Sequence, residues 1–178
     1  MSKAKQTFDY AIKDAEILLE FFDANNKNPP PENIEVLKRA GLIMALTAWE
    51  TYVEDRIREE ITARLRIVEG SPISKFVMLR FEEELKRFHN PNSEKTKRIF
   101  IDYAGVDVVS KWEWIQGDSA KAKKILDELI AKRGDAVHRS KSPTNGNPSP
   151  HLIKRDELEK AIKFLKNLVE VTDKILAE

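Results

Sequence analysis

Between Ala40 and Val53 the chain is apolar on nearly every side of a helical wheel, with Leu42, Ile43, Met44, Ala45, Leu46, Ala48, Trp49, Tyr52 and Val53. A helix that is apolar all round is buried all round. This segment therefore demands partners on every flank and predicts the centre of a helical bundle. The sequence around it supports one long helix, from about Glu32 to Glu69, roughly 57 Å if unbroken. Gly41 inside that helix predicts close approach by a neighbour. Glu50 falls within the apolar stretch, and a carboxylate placed there needs a partner.

Periodicity supplies the neighbours. From about Lys5 to Asn25, the residues Phe8, Ile12, Ala15, Leu19 and Phe22 form one apolar stripe at helical spacing. Asn28, Pro29, Pro30 and Pro31 break it. Near the other end, Leu158, Ala161, Leu165, Leu168, Thr172 and Ile175 form the packing seam of a helix from Asp156, read as its N-cap, to about Ala177. A further helix opens at Asp118 or Ser119, with Ala122, Leu126, Leu129, Arg133 and Ala136 on one stripe. Between these helices, Ile73, Phe76, Val77, Phe81, Leu85 and Phe88 predict a shorter amphipathic helix. His89 to Asn92 reads as a turn, and Ser93 as the cap of a helix through Tyr103, stopped near Gly105. The pattern leaves Val106 to Gln116 unassigned, because a lone short strand there has no partner to stabilise it. Trp112 and Trp114 read as packing residues. The expected fold is all-α, a single domain over 1–178: an antiparallel helical bundle of four main helices with a short helical insertion at 71–117.

The chain has no cysteine, which excludes disulfides, thiolate catalysis and zinc-cysteine sites. No apolar run reaches membrane-spanning length, and no secretory pattern follows Met1, so a cytoplasmic location is the expectation. No Gly-rich phosphate loop, nucleophile elbow, H-E-x-x-H motif or metal-ligand spacing is present; no cofactor is expected. The formal charge is +1, but Ala120 to Arg155 holds nine Lys/Arg against three Asp/Glu. That local +6 leaves −5 for the rest and suits a polyanion.

Within the basic stretch lies Arg133-Gly134-Asp135-Ala136-Val137-His138. A guanidinium holds a phosphate with a fork of donors, and an imidazole moves a proton near neutral pH. The two together suffice to cut RNA without a metal. Arg133 holds the phosphate, His138 serves as base or acid, Asp135 orients the imidazole, and Glu50 fixes the guanidinium. Lys132, Arg139 and Lys141 are the candidate RNA-binding cations. Positions five apart on an ideal helix point about 140° apart. Either Gly134 loosens the helix, or two protomers complete one site; the second is the favoured reading. On the residues alone, Arg133 serves equally well as a helix-end cation paired with Glu50, and His138 as a cap of the last carbonyls. His89 and His151 fall in turns and read as solvated.

At these residues the chain resembles the HEPN superfamily, whose defining motif is Arg, four to six residues, then His. Leu46-Thr47-Ala48-Trp49-Glu50-Thr51-Tyr52-Val53-Glu54-Asp55-Arg56, and His138-Arg139-Ser140 followed by a loop and Lys154-Arg155-Asp156, are similar to the RiboL-PSP subgroup. The family commonly has a polar residue, often Asn, directly after the Arg. Here Gly134 stands there, which leaves that role unfilled or shifts it to Asp135. The resemblance implies a metal-independent endoribonuclease, often a toxin or antiviral effector, with the site formed across a homodimer. It also admits members that bind RNA, a nucleotide or a protein without cleaving. The partners it implies are RNA, a second copy, and an antitoxin or other protein; no membrane is involved.

Overall fold

The structure, a computed structural model, describes residues 1–27, 31, 34–114, 117–138 and 153–177; the side chains of 137 and 138 lie outside that description. Six α-helices are found among the described residues: α1 Lys3–Asn25, α2 Glu35–Leu65, α3 Pro72–Leu85, α4 Ser93–Ala104, α5 Ser119–His138 and α6 Arg155–Ile175. Short 3-10 turns at Arg66–Val68 and Val109–Lys111 complete them. The fold is all-α, and no helix among the described residues is long and apolar enough to cross a membrane.

Helix directions follow from contacts at the ends. Ala4 N–H donates to Glu59 Oε1 at 2.7 Å, and Ser2 N–H to Asp173 Oδ2 at 3.2 Å. The start of α1 thus lies beside the late parts of α2 and α6, antiparallel to both. Arg155, opening α6, pairs with Asp23 near the end of α1 at 2.8 Å. Lys132 late in α5 reaches Glu157 early in α6, so those two are antiparallel as well. α1, α2, α5 and α6 form the bundle. α3 and α4 lie along the flank of α2, held by Arg58 to Glu82 and by the edge-on Phe81–Tyr103 ring pair.

The predicted stripes are the core. Phe8, Ile12, Ala15, Leu19 and Phe22 of α1 are buried, as are Leu158, Ala161, Leu165, Leu168 and Thr172 of α6. Gly41 is the close approach between α2 and α6, where an added Cβ would stand 2.9 Å from Leu158 Cδ2. Trp49, Tyr52 and Trp112 are fully buried, with Trp49 edge to face with Trp112 and tilted against Tyr52. The indole of Trp112 donates to Thr172 Oγ1 at 3.0 Å.

Five expectations need correction. α2 ends at Leu65 rather than Glu69, and a 3-10 turn carries the chain to Gly70, whose φ of +79° suits glycine. The middle of α2 is not covered all round: Met44 and Thr47 reach the surface, and Glu50 and Glu54 beside them are only partly covered. On α3 the predicted stripe packs only in part: Phe81 and Leu85 are buried and Val77 rests against the core, while Ile73 and Phe76 are exposed. Two caps move by one or two places. Asn92 rather than Ser93 caps α4, through Lys95 N–H at 2.9 Å. Ser93 instead binds Asp127 of α5 through both its N–H and its hydroxyl. Asp156 sits inside the first turn of α6, whose cap position is Lys154.

Candidate functional site

The uncovered strip of α2 is where the site is built. Thr47, Glu50 and Glu54 repeat at three and four residues and so share one face of the helix. The last turns of α5 and the turn between α3 and α4 stand over that face. Arg133 comes from α5. Its Nη1 donates to Glu50 Oε2 at 2.6 Å and to Asn90 Oδ1 at 2.7 Å; its Nη2 reaches Thr47 Oγ1 at 3.4 Å. The pair lies just beneath the surface, with side chains 17% and 14% exposed. Charge-assisted bonds of this kind are short and strong. A guanidinium has five donor hydrogens. Among the described residues Nε and the second Nη2 hydrogen have no partner, so the fork keeps capacity for an anion.

The α3–α4 turn is anchored at four places. Asn90 takes the left-handed conformation at φ 53°, which asparagine tolerates better than most residues, and its side chain holds Arg133. The indole of the buried Trp49 donates to Pro91 O at 3.0 Å. Lys95 Nζ donates to His89 O at 2.6 Å. Asn92 caps α4. His89, 69% exposed, places Nδ1 3.5 Å from Glu50 Oε1. One carboxylate therefore serves both Arg133 and His89.

Glu54 completes the acidic side. Burial first, and then the charge of Glu50, raise its carboxyl above the ordinary glutamate range, against smaller lowering by Arg58 and His89.

Of the residues singled out from sequence, Arg133 and Glu50 are brought together directly. α5 runs helical through Gly134 to His138, so Gly134 does not break the helix. A Cβ added at Gly134 would meet no atom within 4 Å. Asp135 lies half-buried on α5 between the two motif residues. His138 closes α5, but its side chain lies outside the described residues, as do Arg139, Lys141 and His151. Lys132 lies over the α5–α6 groove, 3.3 Å from Glu157 Oε1. The carboxyl of Glu157 is held low, first by the Lys154 N–H and also by Lys132. Sequence reading missed Thr47, Asn90 and the placement of His89. No periodicity links the α3–α4 turn to Glu50, 39 positions earlier; the available signal was the His-Asn-Pro-Asn turn itself. Among the described residues no group of three or more His, Asp or Glu is placed to hold a metal ion.

No curated protein and no solved structure gives a match. The family described as RiboL-PSP-HEPN matches residues 10–178. The match takes in α2 through α6 and most of α1, with Glu50, Arg133 and His138 inside it, and the chain belongs to this branch of the HEPN superfamily.

Proposed function

We propose that the chain is a metal-independent endoribonuclease acting as a two-fold dimer, in the manner of a toxin or antiviral effector restrained by a protein partner. The observation that carries this reading is the motif arginine, held just beneath the surface by Glu50 and Asn90 with donors unspent among the described residues. Membership of the family supports it. The 2′-hydroxyl of RNA loses its proton to His138 and attacks the adjacent phosphorus. The O2′–P bond forms, the P–O5′ bond breaks, and the leaving oxygen takes a proton. Arg133 neutralises the charge that develops on the phosphorane-like transition state. Glu50, already spent on holding the guanidinium, keeps it from reorganising during the reaction. Asp135 orients the imidazole. Lys132, Arg139 and Lys141 hold flanking phosphates.

The test is cleavage of a mixed-sequence RNA in EDTA. Wild type cuts RNA and leaves DNA intact, since DNA lacks the nucleophile. His138→Ala loses on the order of 10²-fold or more. Arg133→Lys keeps the charge but not the fork and loses a comparable factor. Undiminished cleavage by His138→Ala, or a strict need for metal, rejects the reading. A second reading, a HEPN-like module that binds RNA, a nucleotide or a protein without cutting, is favoured by Gly134 in place of the family's usual polar residue. It predicts no cleavage, together with salt-sensitive RNA binding that weakens in Lys132→Ala.

A further inference from the structure

Arg133 and His138 lie five residues apart on a continuous helix, and such positions point about 140° apart around the axis. Arg133 does have a histidine on its own side. His89 shares the Glu50 carboxylate with it, one oxygen each, and the residue after His89 holds the same guanidinium nitrogen. We propose that His89 is the acid of the site, donating its Nε2 proton to the leaving 5′-oxygen of RNA. This rests on the nuclease reading and adds a residue outside the family motif.

Three features fit that role. Glu50 Oε1 stands 3.5 Å from Nδ1, which places the imidazole beside the anchored guanidinium, on the side where a phosphate held by Arg133 would sit. The ring is 69% exposed and open to a substrate. The turn that carries it is fastened through Lys95, Trp49, Arg133 and the α4 cap, and this rigidity is what positioning a proton donor demands. The charged groups around it are Glu50 and Glu54 from α2, Arg133 from α5 and Lys95 from α4. The step balances. His138 accepts the 2′-hydroxyl proton, O2′ bonds to phosphorus, P–O5′ breaks, and O5′ takes the proton from His89, which water restores.

The experiment compares His89→Gln with wild type and His138→Ala on two substrates. One is an RNA oligonucleotide; the other is a nucleoside 3′-(p-nitrophenyl phosphate), whose leaving group departs without protonation. His89→Gln loses on the order of 10²-fold on RNA and stays near wild type on the nitrophenyl ester, and one limb of its pH–kcat/KM profile disappears. His138→Ala fails on both. Wild-type rates for His89→Gln on RNA, or equal losses on both substrates, overturn the role of His89 while leaving the nuclease reading intact. A wild-type protein inert toward both substrates overturns the nuclease reading and the acid with it.

Discussion

Gly134 is helical, has no positive φ, and has open space where a Cβ would stand. Among the described residues nothing around it requires glycine, which costs a helix interior about 0.5–1 kcal/mol relative to alanine. Gly134→Ala therefore raises stability by about that amount, a gain of about 1–4 °C in Tm for a chain of this size, as read by thermal denaturation. The same space admits an asparagine, so Gly134→Asn tests the family's usual polar residue without disturbing the fold. Glu54 makes a different kind of prediction. Its carboxyl is raised by burial and by Glu50, so the folded chain holds that proton more tightly than the unfolded chain does. The ionised group is then a penalty at neutral pH. That penalty is relieved as pH falls through the raised folded pKa, and it is gone below the ordinary glutamate value near 4.3. Glu54→Gln is accordingly more stable than wild type at pH 7. The difference shrinks in acid and vanishes below about pH 4, measured as paired Tm values across pH. A constant difference at every pH would contradict the assignment.

At the level of helices, one buried network ties three of them together. Arg56 of α2, 6% exposed, reaches Asp173 of α6 at 3.3 Å, Glu60 at 2.5 Å and Leu176 O at 3.2 Å. Asp173 also accepts the N–H and hydroxyl of Ser2, whose own oxygen caps α1 through Lys5 N–H. Removing one partner of a buried ion pair strands the other. Asp173→Ala costs about 3 kcal/mol and lowers Tm by roughly 10 °C; Ser2→Ala, which removes the cap and the hydroxyl bond to Asp173 but leaves Arg56 paired, costs about 1–2 kcal/mol. Arg56 and Glu60 share a face of α2 at i,i+4, but the contacts of Asp173 with Arg56 and Ser2 could not be paired from sequence, because they join different helices with no shared period. What could be read was periodicity within a helix. The α1 and α6 stripes are the core because each helix turns a single face inward. α3 shows where that logic fails: its spacing is amphipathic, yet Ile73 and Phe76 stay exposed while Val77, Phe81 and Leu85 of the same helix meet the core. The site divides the same way. Glu50 stood out as a carboxylate in an apolar stretch and Arg133 as a cation on a core stripe. Asn90 and His89 had no such mismatch, because polar residues in a turn look ordinary until the turn is folded against α2.

The whole molecule carries a net charge of +1 with a local +6 between Ala120 and Arg155; on the nuclease reading proposed above, that stretch draws RNA in, and association weakens steeply with salt. Whether one chain then suffices is a question of geometry. With α5 unbroken, positions 133 and 138 fall on different sides of an ideal helix, and a dimer resolves this if each site takes its arginine from one chain and its histidine from the other. Hybrid dimers test this directly. Arg133→Gln and His138→Ala chains, each inactive alone, are carried on different tags and allowed to exchange at equal amounts. Half of the dimers are then hybrids, and each hybrid holds one intact site of two, so cleavage recovers to about a quarter of the wild-type rate. No recovery, with both variants folded and exchanging, places the whole site within a single chain. His138 would then have to act across the helix from its own arginine, and His89, already beside Arg133 through Glu50, would be the only described histidine within reach of the same phosphate.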